Sequence, residues 1–139
     1  MAINYKLLER VKKHILEEPR RFHMDYFGTA AENVDPNNED EVWEAPACGT
    51  VACIAGWATG LRGKKKYPDL KAVLRANEDT GIEALGITGD QAQDLFYTDN
   101  WPYGLGNDYE DALQDHDYNL AAEIAVERID LFIVSRGCR

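Results

Sequence analysis

Apolar residues recur at helical spacing along most of this chain, and no stretch alternates for long enough to make a useful strand. Residues 4–18 put Leu7, Leu8, Val11 and Ile15 on one face, with Lys6, Arg10 and Lys13 largely opposite. That pattern predicts an amphipathic helix, which Pro19 ends by disfavouring helical geometry at Glu18. Phe22, Met24, Tyr26 and Phe27 follow as a short apolar cluster expected to turn onto the core. Residues 28–47 read as a loop, turn-rich and acidic through Asp35-Pro-Asn-Asn-Glu-Asp-Glu41, with Trp43 as its expected anchor.

The segment Cys48-Gly-Thr-Val-Ala-Cys-Ile-Ala-Gly-Trp-Ala58 carries the densest signal. Thr50 is the expected N-cap, since a threonine hydroxyl can accept from an amide two or three residues on. Val51, Ile54, Ala58 and Leu61 then take helical spacing, while Ala52, Gly56 and Gly60 form a stripe of small residues that admits a close neighbour. Cys53 and Trp57 share a face. With apolar residues nearly all round, this helix is expected at the centre of the core. Gly63 is its stop.

Further helices are expected over 69–76 and 80–85, the second stopped by Gly86. Thr88-Gly-Asp-Gln91 fits a capping box, and the helix behind it buries Ala92, Leu95 and Phe96 before Trp101-Pro102. Residues 103–107 read as a loop, 108–115 as a short helix, and 118–136 as the last helix, capped by Asp117 or Asn119 and ended by Gly137. The expectation is an all-α fold: one compact domain over 1–139, a bundle of five or six helices around a buried Gly/Ala-rich helix, with an acidic loop at 28–47.

The 139 residues suffice for a real core. Three cysteines, an odd number, do not make a disulfide framework. Residues 1–21 are charged throughout and resemble no signal peptide, and no apolar run reaches membrane-span length. A cytoplasmic protein is expected. The formal net charge is -10, and neither Lys nor Arg occurs from Phe22 to Leu61 or from Ala76 to Glu127. That excludes general nucleic-acid binding, which needs phosphate neutralisation, and suits either a solvated acidic surface or a basic partner.

Four motifs occur in order: Cys48-Gly-Thr-x-x-Cys-x-Ala-Gly-Trp-Ala58, Leu85-Gly-Ile-Thr-x-x-Gln-Ala-x-x-Leu-Phe96, Trp101-Pro102 and Arg128-Ile-x-x-Phe-Ile133. With Pro19-x-x-Phe-x-Met24 upstream, this set resembles a group of small uncharacterised bacterial and phage proteins. The resemblance implies a bacterial or phage setting and supplies no catalytic residue. The acidic loop at 32–46 is longer than the group's pattern.

The candidate chemistry centres on the mouth of the buried helix. Cys48, Gly49 and Thr50, with Trp43, Trp57 and Trp101 folding near, are the expected ligand-binding residues, helix amides facing any anionic group. A small molecule or a basic protein is the expected partner, and a phage binder of this kind would counter a host defence. An enzyme is the alternative: Cys48 or Cys53 as thiolate at a helix N-terminus, with His23 or His116 as base and His14 the third imidazole. A structural role, with the small-residue stripe packed on a second copy, is the other alternative. No metal or cofactor is expected: Cys48-x4-Cys53 is looser than zinc-finger spacing, and the Asp35 loop lacks the glycine and the twelfth-position ligand of a calcium loop.

Overall fold

The computed structural model describes residues 2–24, 29–30, 50–63 and 68–137. Seven α-helices stand among them: α1 Tyr5–Glu17, α2 Ile54–Leu61, α3 Leu70–Leu74, α4 Glu78–Leu85, α5 Gly89–Phe96, α6 Leu105–Gln114 and α7 Tyr118–Val134. Single 3-10 turns cover Pro19–Arg21 and Thr98–Asn100. The fold is all-α, as the periodicity predicts, with seven helices among the described residues. A small antiparallel pair, β1 Thr29–Ala30 with β2 Thr50–Val51, had no sequence signal, because two residues are too few to show alternation.

The helix α2 is central. Ile54 to Ala58, Gly60 and Leu61 are all buried, leaving only Thr59 partly exposed. Its neighbours are α1, α3, α4 and α5, and one continuous apolar cluster runs from Leu7 and Leu8 through Trp57 to Ile129 and Phe132. The stripe of small residues is used inside the chain. A Cβ on Gly60 would overlap Val73 of α3, so the stripe is spent on intramolecular packing and offers no face to a second copy.

The start of α2 differs from expectation. Thr50 is not its cap. Residues 50–52 are extended: Thr50 pairs with Ala30, and Ala52 bridges to Phe22. The cap position falls to Cys53, which makes no side-chain capping bond. The Arg21 carbonyl accepts from both the Ala52 N–H and the Trp57 indole Nε1–H, each at 3.0 Å. Backbone pairing there takes precedence over the threonine cap.

Other boundaries follow local hydrogen bonding. Asn77 and Thr80 cap α4 reciprocally at 2.9 Å each way, so that helix begins two residues before the expected Thr80. Thr88 and Gln91 form the predicted capping box. Asp117 caps α7 through the Leu120 N–H. The helix α6 starts at Leu105, three residues before the expected position, because the turn Pro102–Leu105 delivers the chain directly into it. Lys12 of α1 pairs with Asp130 of α7, tying the first helix to the last.

Both ends of the described chain reach the α4–α5 connection. The Asn4 N–H donates to the Leu85 carbonyl at 2.8 Å, and Gly86, at φ +64, sits against the Ala2 carbonyl. Gly137 lies beside Gln91 and Ile3.

Gly106, in the first turn of α6, lies so close to Thr98 that a Cβ would overlap the Thr98 carbonyl oxygen. Neither partner is a flexible side chain, so Gly106→Ala is expected to destabilise the fold by about 1–3 kcal/mol, read as a lower midpoint in urea denaturation.

Candidate functional site

A concavity among the described residues lies where the segment after α5 meets the end of α7. One wall is α7: Arg128, Leu131 and Ser135, spaced to share a helix face. The other is the run Asp99-Asn-Trp-Pro-Tyr103. The cleft they enclose measures about 470 Å³, inside the roughly 300–1,000 Å³ range of small-molecule sites.

Each wall is fixed by its own bonds. The Trp101 indole Nε1–H donates to the Leu95 carbonyl at 3.0 Å, and its ring meets Tyr109 edge-on at 5.5 Å. The Asn100 carboxamide donates to the Gln93 carbonyl at 2.9 Å, and the Thr98 hydroxyl to Glu110 at 3.2 Å. Trp101 is therefore a rigid, nearly buried wall. The Arg128 Nη2 donates to the Asp94 carbonyl at 3.2 Å, and the residue is 4% exposed.

Tyr103 stands out at the rim. The Leu105 N–H donates to the Pro102 carbonyl at 3.1 Å, and the two central residues have φ +60 and +75. This is a type I′ turn, whose first central position favours Asn, Asp or Gly. A tyrosine there carries a strain of roughly 1–2 kcal/mol, and its side chain is 86% exposed.

Of the ligand-binding residues singled out by sequence, Thr50, Trp57 and Trp101 are described, and these three do not share one mouth. Trp101 lines the cleft. Trp57 does not: it is fully buried, bonded to the Arg21 carbonyl and tilted against His14 at 4.2 Å. Thr50 belongs to β2. Cys48, Gly49 and Trp43 lie outside the described residues. Cys53 is buried, and desolvation pushes its thiol up to about 11 despite opposing amide bonds from Gly56 and Ala55. At neutral pH it is a protonated core thiol. His116 is exposed, at φ +57, with its ring 6.2 Å from Tyr118, and His23 is half-buried beside the Ala52 strand.

Sequence reasoning missed Asp99, Asn100, Pro102, Tyr103, Arg128, Leu131 and Ser135. Arg128 alone had a visible signal. It stands one turn after Ile124 and one turn before Phe132, a cation inside the apolar stripe of the last helix. Among the described residues no group of three or more His, Cys, Asp or Glu is placed to hold a metal ion. No helix among them is long and apolar enough to cross a membrane. The chain matches no protein-family profile, no curated protein and no solved structure.

A second buried polar feature bears on stability. His14 is 8% exposed, with Nε2 buried and lacking a hydrogen-bond partner. Desolvation, helped by the charge of Arg21, lowers its pKa from 6.5 to about 4. The unfolded chain therefore binds this proton more readily than the folded one. Stability from this site is complete above pH 6.5 and falls as pH drops towards 4. Relative to His14→Phe, the wild-type chain is expected to lose on the order of 3 kcal/mol across that window, measured by urea denaturation at pH 7 and near pH 4. Equal acid sensitivity in the two proteins would contradict this assignment.

Proposed function

We propose that this protein acts by binding a small molecule in the cleft between the 99–103 segment and the last turns of α7. The observation that carries this reading is a cleft of about 470 Å³ with Trp101, Pro102 and Leu131 as apolar walls and the buried Arg128 guanidinium as a fixed polar group. Apolar walls with few convergent polar groups are the general form of a ligand site. The resemblance to small bacterial and phage proteins gives the setting: a cytoplasmic binder that sequesters a signal, in a phage a means of countering host defence.

Thiol catalysis through Cys53 has less support, because a buried thiol held near 11 supplies almost no thiolate at neutral pH; Cys48 lies outside the described residues. A basic protein partner is the second reading. It is favoured by the absence of Lys and Arg from Ala76 to Glu127, which leaves acids such as Asp79, Asp90, Asp108, Asp111 and Glu123 exposed.

The test is a screen of small aromatic compounds, followed through the three tryptophan indole N–H resonances of the labelled protein. Ligands are expected to move Trp101 and to be lost in Leu131→Arg, which fills the cleft from the half-buried α7 face. A screen in which nothing moves Trp101 would remove the small-molecule reading. Salt-sensitive binding of a basic peptide that persists in Leu131→Arg would establish the second.

A further inference from the structure

The donors and acceptors of the lining narrow the ligand class, on the premise that the cleft is a ligand site. We infer that it takes a small organic cation with a flat apolar body, the body against Trp101 and Leu131 and the cationic end at the rim with Asp99 and Tyr103. Three observations converge.

The first is where the hydrogen-bond donors of the lining go. A tryptophan indole and a serine hydroxyl each have one donor hydrogen. Trp101 gives its own to the Leu95 carbonyl, and Ser135 gives its own to the Phe132 carbonyl at 3.2 Å. The Asn100 carboxamide nitrogen donates to the Gln93 carbonyl. Arg128 is engaged with the Asp94 carbonyl through Nη2, its Nε is enclosed, and it makes a further interaction within the protein. An anion that leaves water needs donors in exchange, and these four side chains already donate within the protein. A ligand that brings its own donors meets no such deficit.

The second is the charge left open. Asp99 is the carboxylate of the described lining, exposed, with no hydrogen bond or ion pair to a described residue. Neither Lys nor Arg occurs from Ala76 to Glu127, so nothing in its own stretch of chain neutralises it. Arg136, next to Ser135, is exposed and no part of the lining. On a chain of net charge -10 the general field also favours a cation. Arg128 repels a second cation placed beside it, and it is buried where Asp99 is exposed. The two charges therefore orient the ligand, its cationic end outward to Asp99 and its uncharged body inward.

The third is the aromatic ring beside that carboxylate. Asp99 and Tyr103 are the two exposed members of the described lining. The turn at Tyr103 and Gly104 presents the tyrosine ring to solvent, 86% exposed. The face of such a ring attracts a cation. Trp101, Pro102 and Leu131 supply apolar surface for the rest of the molecule.

The experiment uses the full chain and three isosteric probes: the cationic 2-naphthamidine, the neutral 2-naphthamide and the anionic 2-naphthoate. Affinity is measured by calorimetry, and location by the Trp101 indole N–H shift. Naphthamidine is expected to bind roughly fivefold tighter than naphthamide, and naphthoate weakest. Added salt is expected to weaken naphthamidine while leaving naphthamide unchanged. Asp99→Asn breaks no bond to a described residue. It is expected to bring naphthamidine to within about twofold of naphthamide. Tyr103→Asn places a residue suited to the left-handed turn and removes the ring. It is expected to raise the melting temperature while weakening naphthamidine roughly threefold.

Naphthamide or naphthoate binding as tightly as naphthamidine, with Trp101 still moved, would overturn the cationic class while leaving the cleft as a ligand site. Unchanged naphthamidine affinity in both Asp99→Asn and Tyr103→Asn would overturn the proposed pose. If all three probes leave Trp101 unmoved, the ligand-site reading itself fails.

Discussion

A helix without a polar face has to be covered on every side, and α2 imposes that requirement on the rest of the chain. Seven of its eight residues are buried. Cover comes from α1 on one flank and from α3, α4 and α5 around the others. Small residues make the cover tight, since Gly60 lets α3 approach and Gly81 lets α4 settle against Ala55 and Phe96. The polar groups that α2 brings inward are met individually. The Trp57 indole is bonded to the Arg21 carbonyl, and the Thr59 hydroxyl to Ala55 and Thr80. Buried polar groups are tolerated when partnered; the His14 Nε2 is an exception in the same neighbourhood.

The cleft is a by-product of how the outer layer closes. The helices α6 and α1 pack along α7. At its last turns the cover is the irregular segment between α5 and α6, which lacks the regular ridges that fill grooves between helices. Trp101 is nailed to Leu95 and Tyr109, so it cannot swing in to fill the gap. Arg128 reaches across to the Asp94 carbonyl and ties α7 to α5 beside the cleft. The concavity therefore belongs to the resting geometry.

Much of the fold was legible because long helical periodicity and capping chemistry are local properties. Leu7, Leu8, Val11 and Ile15 face the core as their spacing requires, and the Thr88–Gln91 box forms where its residues stand. The failures share a cause. Thr50 has the chemistry of a cap, but pairing with Ala30 pulls it into extended backbone, a long-range contact invisible to a local reading. The site was less legible still. Trp101 was singled out and lines the cleft, whereas Trp57 and Cys53 are core packing. Asp99, Tyr103 and Ser135 become neighbours only when the two walls meet. Arg128 breaks an apolar stripe, and that local inconsistency was the available clue.

The meeting of residues 2–4 with Gly137 has a consequence for how the molecule comes apart. Asn4 and Gly137 are held at the same α4–α5 connection, one through Leu85 and the other beside Gln91. Ile3 also lies against Gly137, so release of residues 2–4 uncovers part of the surface on which Gly137 rests, and the converse holds. Opening of the two segments is therefore coupled through a shared seat.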